Sequence, residues 1–270
     1  MKSKFKSAVL FALLGAAILS PDAGAQTFTN RTTAEGLGND NVRGVFVDSS
    51  TIYAATNGGL SISTNAGASF TNKTTANGLG NNIVYAVYAT GGNVYVGTFS
   101  GVSISTDGGV SFANKTTVNG LGNNNVLGVY AVGSTVYAAT NGGLSISTDS
   151  GANFTNKTTV DGLGNNVVRG VYAVGSTVYA ATAAGLSIST DGGVSFTNKT
   201  TANGLGNNNV AVVYAVGSAI YAATSSGLGI SGGGGGAPAP SPVPTLSDWA
   251  LILFGALMAG AMVWYQRRRV

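Results

Sequence analysis

An all-β fold of five four-stranded blades, closed into a β-propeller, is what the sequence predicts, and three observations predict it. Gly36-Leu37-Gly38 recurs as Gly78-Leu79-Gly80, Gly120-Leu121-Gly122, Gly162-Leu163-Gly164 and Gly204-Leu205-Gly206, each step 42 residues without insertion or deletion. Each full period holds four short runs rich in Val, Ile, Tyr, Phe and Thr, separated by Gly, Asn, Asp and Ser, which is the alternation of strand and turn. The repeat region also begins with the end of one period and stops short of the end of another. Four strands in about 40–45 residues is the size of one propeller blade.

Residues 1–25 read as an export signal. Lys2, Lys4 and Lys6 precede an apolar run from Ala8 to Leu19, and Ala23-Gly24-Ala25 offers the small residues that a signal peptidase reads, with cleavage expected after Ala25. With no cysteine in the chain, disulfides do not hold the exported fold together, and a lipid-anchored N-terminus is excluded.

Residues 26–231 are the repeat region. In its third copy Val126–Val132, Val136–Thr140, Leu144–Thr148 and Asn153–Lys157 are the expected strands, and the loop Thr158–Asn166 leads onward. Thr27-Phe28-Thr29-Asn30 matches a fourth strand with no first three before it, while Val210–Val216, Ile220–Thr224 and Leu228–Ser231 supply three strands and no fourth. The expectation is a blade split across the ends, the N-terminal strand completing the last sheet and closing a ring of twenty strands, which would leave no open sheet edge. A coiled β-solenoid would accept the same Gly- and Asn-rich turns, but would not explain why the first copy lacks what the last one has.

Ser105-Thr106-Asp107-Gly108-Gly109-Val110-Ser111-Phe112, repeated at Ser147–Phe154 and Ser189–Phe196, resembles the Asp-box hairpin of sialidase-type propellers. Ser63–Phe70 has Asn65 where the other copies have Asp107, Asp149 and Asp191. The resemblance implies a structural role: the side chain caps its own turn, a Gly takes positive φ and the aromatic packs inward. The Gly-Leu-x-x-Asn-x-Val stretch followed by Tyr-Ala-Ala-Thr and Gly-Leu is similar to propeller repeats of two-component sensor ectodomains.

Residues 232–242 are a Gly- and Pro-rich linker, flexible and then stiff. Residues 243–270 carry Val243-Pro244-Thr245-Leu246 and Trp249, then an apolar run from Ala250 to Tyr265, then Arg267-Arg268-Arg269. The run is about the minimum that spans a bilayer as a transmembrane helix, and the Arg cluster would keep its end cytoplasmic. Motif, helix and basic tip together resemble the IPTL-CTERM sorting signal, a relative of PEP-CTERM. That resemblance implies recognition by an exosortase-type sorting protease, a Gram-negative bacterial host, and passage through an inner-membrane intermediate, propeller outward, to the cell surface. An ordinary single-pass anchor would share the helix and the tip, but not the motif.

The repeat region carries seven cations and seven anions, so the net charge of +4 comes from the two ends and gives no reason to expect a nucleic-acid partner. Absence of His and Cys removes the commonest general base, the usual zinc sites and thiol nucleophiles. Tyr53, Tyr95, Tyr137, Tyr179 and Tyr221 repeat at one strand position, as packing residues do, so neither an enzyme nor a cofactor is expected. The five Asn-x-Thr triplets at Asn30, Asn72, Asn114, Asn156 and Asn198 share one position and read as strand residues rather than glycosylation sites.

A binding face is expected where the Asn-rich interblade loops meet the turns between second and third strands. Two positions there vary in otherwise near-identical copies: Arg43, Tyr85, Leu127, Arg169, Ala211 in one series, and Asn57, Phe99, Asn141, Ala183, Ser225 in the other. Such variation marks either a grafted site or drift on a tolerant surface. Two functional readings therefore compete. One is an exported cell-surface or matrix protein with a structural or adhesive propeller; the other is a lectin-like propeller for a surface glycan or matrix polysaccharide.

Overall fold

The computed structural model describes residues 27–232; the expected signal peptide, the linker beyond Gly232, the sorting motif and the expected transmembrane helix lie outside them. Among the described residues no helix is long and apolar enough to cross a membrane. Five antiparallel sheets follow one another along the chain. Blade 1 holds β1 (Val42–Asp48), β2 (Thr51–Thr56), β3 (Gly59–Ser63) and β4 (Thr71–Lys73). Blade 2 holds β5 (Val84–Thr90), β6 (Asn93–Thr98), β7 (Gly101–Ser105) and β8 (Ala113–Lys115). Blade 3 holds β9 (Val126–Val132), β10 (Thr135–Thr140), β11 (Gly143–Ser147) and β12 (Thr155–Lys157). Blade 4 holds β13 (Val168–Val174), β14 (Thr177–Thr182), β15 (Gly185–Ser189) and β16 (Thr197–Lys199). Blade 5 has three strands only, β17 (Val210–Val216), β18 (Ala219–Thr224) and β19 (Gly227–Ser231).

Each fourth strand is held by more than its three-residue ladder. Asn72 accepts from the Ser61 hydroxyl at 3.1 Å and donates its Nδ2 to the Gly58 carbonyl at 2.8 Å. Asn114, Asn156 and Asn198 do the same in their blades. Those amide nitrogens are the atoms a glycan would need, so in these four copies the triplet is indeed strand chemistry.

The Gly-Leu-Gly motif has a mechanical reason. A one-turn 3-10 helix, Thr75–Asn77 in the second copy, is capped by Thr74 and ended by Gly78 at φ 92°, a left-handed conformation that glycine accepts without steric cost. A Cβ on Gly78 would overlap the carbonyl of Phe112, and one on Gly80 would overlap the side chain of Asn114. Between them Leu79 is buried between blades 1 and 2. The 3-10 turn lies inside the stretch that the sequence reads as plain loop.

Blades pack face to face with their chain neighbours. Tyr53, Ala55, Leu60 and Ile62 of blade 1 enclose one core with Val84, Val87, Ala89, Val94, Val96 and Phe112 of blade 2, and the same positions recur at the next two junctions. Tyr53, Tyr95 and Tyr137 are buried packing residues, and burial raises the pKa of each phenol. A second aromatic series runs along the inner strands: Phe46, Tyr88, Tyr130, Tyr172 and Tyr214, with ring centroids 4.7, 4.7, 5.0 and 4.7 Å apart.

The expected closure does not form. Phe28 is 94% exposed, residues 27–30 form no strand, and β19 has no partner beyond β18. Leu228 and Ile230 on β19 are 61% and 60% exposed, whereas their counterparts Leu144 and Ile146 are 0% and 8%. Val45 and Val47 on the outer face of blade 1 are likewise open to solvent. Among the described residues there are therefore nineteen strands, not twenty, in an array with two unpaired blade faces. The inner aromatic series, one ring from each blade, links the inner strands of all five blades in a row that ends at Tyr214 without returning to Phe46.

Candidate functional site

The rim where the two variable series meet is built by one irregularity repeated five times. The ladder between first and second strands shifts register between Val42 and Gly44, Val84 and Ala86, Val126 and Gly128, Val168 and Gly170, and Val210 and Val212. Arg43, Tyr85, Leu127, Arg169 and Ala211 are thus the extra residues of five β-bulges. A bulge residue has no partner across the ladder, so the pairing of the two strands does not constrain its identity. The second series is pinned beside the first. The backbone N–H groups of Asn57, Phe99, Asn141, Ala183 and Ser225 donate to the carbonyls of Asn41, Ile83, Asn125, Val167 and Asn209, two residues before each bulge, at 3.0–3.2 Å. The sequence shows which positions vary, but not the bulge that frees them.

Blades 1 and 2 together bring three sequence-chosen residues into one cluster. Arg43 donates its Nε to the Oδ1 of Asn57, and its guanidinium carbon lies 5.0 Å from the centroid of the Tyr85 ring, a cation–π contact. Phe99 is half-exposed on blade 2, and Asn141 stands on blade 3 outside that cluster. Arg169 occupies the same bulge in blade 4 with neither contact. Its Nε is buried and has no hydrogen-bond partner among the described residues. The Oδ1 atoms of Asn125 on blade 3 and Asn209 on blade 5 are buried and unpartnered in the same way. Sequence reading passes over both, because they sit in a loop where every copy is rich in Asn.

Most of those loop amides are already committed. Asn81 accepts from the backbone N–H of Ile83 at 2.8 Å and Asn82 from that of Thr75 at 2.9 Å, and both bonds recur from blade to blade. The Asp-box turns are self-contained too. Asp107 accepts from the Ser105 and Ser111 hydroxyls, both at 2.6 Å, and from the backbone N–H groups of Val110 and Ser111 at 3.0 Å. The Ser105 hydroxyl first, then Ser111, hold its carboxyl well below the usual carboxylate range, and Ser189 leads the same effect at Asp191. At Asp149 the backbone N–H of Asn153 is the largest cause, ahead of Ser147. Asn65 keeps the geometry without a charge, accepting from Ser63 at 2.8 Å and from the Ser69 N–H at 3.0 Å. Among the described residues no three of Asp, Glu, His and Cys come together as metal ligands.

Residues 241–269 match the IPTL-CTERM motif, beginning two residues before the segment marked in the sequence. No curated protein matches the chain. Solved structures match its fold. The extracellular domain of BT4673 from B. thetaiotaomicron is 21% identical with a TM-score of 0.60, covering 71% of this chain and 27% of that one. An ancestral GH74 enzyme is 22% identical with a TM-score of 0.55, over 67% and 27%. PorZ, a surface component of the type-IX secretion system of Porphyromonas gingivalis, is 16% identical with a TM-score of 0.53, over 72% and 27%. The chain thus spans about a quarter of the length of each, and at these identities the likeness is one of fold. The extracellular domain of a one-component system, an enzyme and a secretion-system component share the blades, so the fold alone assigns no chemistry. What the observations establish is a repeat protein of propeller blades carrying an IPTL-CTERM sorting motif at its C-terminal end.

Proposed function

We propose that this chain is an exported bacterial cell-surface protein, its propeller a non-enzymatic structural and adhesive module and its tail the signal read by an exosortase-type sorting protease. The IPTL-CTERM motif on the same chain as five propeller blades carries the reading. The chemistry of the repeats supports it, because the three Asp-box carboxylates and the repeated loop amides serve their own turns rather than a reaction centre. The variable rim remains as the part that differs from copy to copy. A lectin-like role is the second reading, favoured by the unpartnered polar atoms of Asn125, Arg169 and Asn209.

The test is a binding assay with the full chain in detergent micelles, run on intact cells and matrix of the producing bacterium and, in parallel, on a glycan array. Retention on cells and matrix with a silent array is the expected result. Strong multivalent binding to one glycan class would favour the lectin, and turnover of any polysaccharide would overturn the non-enzymatic reading.

A further inference from the structure

Arg43 and Arg169 occupy one repeat position, yet the structure treats them oppositely. The difference comes from two neighbours. The residue that accepts from Arg43 Nε is Asn57, and its counterpart in blade 4 is Ala183. The ring beneath the Arg43 guanidinium is Tyr85, and its counterpart next to blade 4 is Ala211. Both groups that satisfy the first arginine are thus cut back to a methyl at the second. The outcome is a buried Nε–H with no partner, on a side chain that is still partly open to solvent. A buried donor left unmade costs on the order of 1–3 kcal/mol, so a ligand that satisfies it starts with an advantage. Among the described residues no carboxylate does so: the one ion pair joins Lys157 to Asp161 at 3.6 Å.

We propose that Arg169 is the anion-holding residue of a ligand site on the rim, with Ala183 and Ala211 leaving the room, and that its ligand is a carboxylate-bearing sugar. Guanidinium nitrogens bind a carboxylate through two parallel hydrogen bonds, which suits a planar acid rather than a point charge. Asn125 and Asn209, just before the bulges of the blades either side, each carry a buried side-chain oxygen that lacks a donor, and sugar hydroxyls are donors. A rim with one unpaired cationic donor and unpartnered acceptors on the adjoining blades suits an acid that also carries hydroxyl groups. Arg43 is not part of the site, because Asn57 and Tyr85 already hold it. The inference rests on the reading of the propeller as an interaction module, and it names what one position of that module binds.

The experiment uses the full chain in detergent micelles, with sodium glucuronate as probe and glucose and acetate as controls, followed by titration and by the Arg Nε resonances in nitrogen-15 NMR. Glucuronate is expected to bind more tightly than either control and to move one Nε resonance. Arg169→Ala should abolish binding, and Arg43→Ala should change it less than about twofold. Ala183→Asn keeps the arginine but restores the intrachain acceptor, so it should weaken binding by about tenfold. Unchanged melting of each variant separates lost binding from lost folding. Glucuronate that fails to bind, binds no better than acetate, or binds Arg169→Ala and Ala183→Asn like the parent overturns the site. Retention on cells without glucuronate binding would sink this inference and leave the adhesive reading standing.

Discussion

Leu144 and Leu228 are copies of one repeat position, and the open array makes them energetically unlike. Leu144 is fully buried between blades 3 and 4, whereas Leu228 is 61% exposed on the unpaired face of blade 5. Truncation of a buried leucine costs about 2–5 kcal/mol, as lost transfer energy plus a residual cavity. Truncation of an exposed one usually falls within about 0.5 kcal/mol. Leu144→Ala and Leu228→Ala should therefore differ by at least about 1.5 kcal/mol in urea unfolding followed by far-ultraviolet circular dichroism. Repeat arrays unfold by neighbour-coupled units, so the denaturation slope must be compared as well as the midpoint. Equal losses for the two variants would refute the open array, because a closed ring buries both leucines alike.

Other expectations follow from the repeated hydrogen bonds and the tail. Asp107, Asp149 and Asp191 have pKa values lowered in the folded state, so their contribution to stability is present above the usual aspartate value of 3.8 and is lost as pH falls through the lowered ones. Replacing all three by Asn, as nature has at Asn65, should flatten the fall in melting temperature below about pH 4; parallel acid limbs for parent and variant would count against this. Asn156→Ala removes the partners of Ser145 and Gly142 and should cost about 1–3 kcal/mol, read from the same urea curves. Replacing Pro244-Thr245 by Ala-Ala should leave export intact and trap the protein in the inner membrane, which fractionation would show; normal release would mean that the tail is a plain anchor.

The blades were legible because a strand and its turn are local: Gly-Leu-Gly, the Asp-box and the runs of Val and Tyr each state their own conformation. The strand Val126–Val132 has the same ends in sequence and structure for that reason. The closure was not legible, since whether Thr27–Asn30 reaches Leu228–Ser231 depends on the angle between blades. Nothing local encodes that angle, because it is a sum over every junction between neighbouring blades. The candidate rim was half legible. Variation picked out Arg43 and Arg169, but treated them as equals, and only the bulge geometry with Asn57, Tyr85, Ala183 and Ala211 around it tells them apart.

The open array is the central structural claim, and a cross-link tests it most directly because the chain has no cysteine of its own. Were the ring closed, the repeat register would set Thr29 beside Ile230, as Thr155 pairs with Ile146 in blade 3. The double variant Thr29→Cys, Ile230→Cys, oxidised at low protein concentration and resolved by non-reducing mass analysis, is expected to remain two free thiols within each monomer. Rapid, near-complete disulfide formation inside single chains would contradict the account and restore the closed ring.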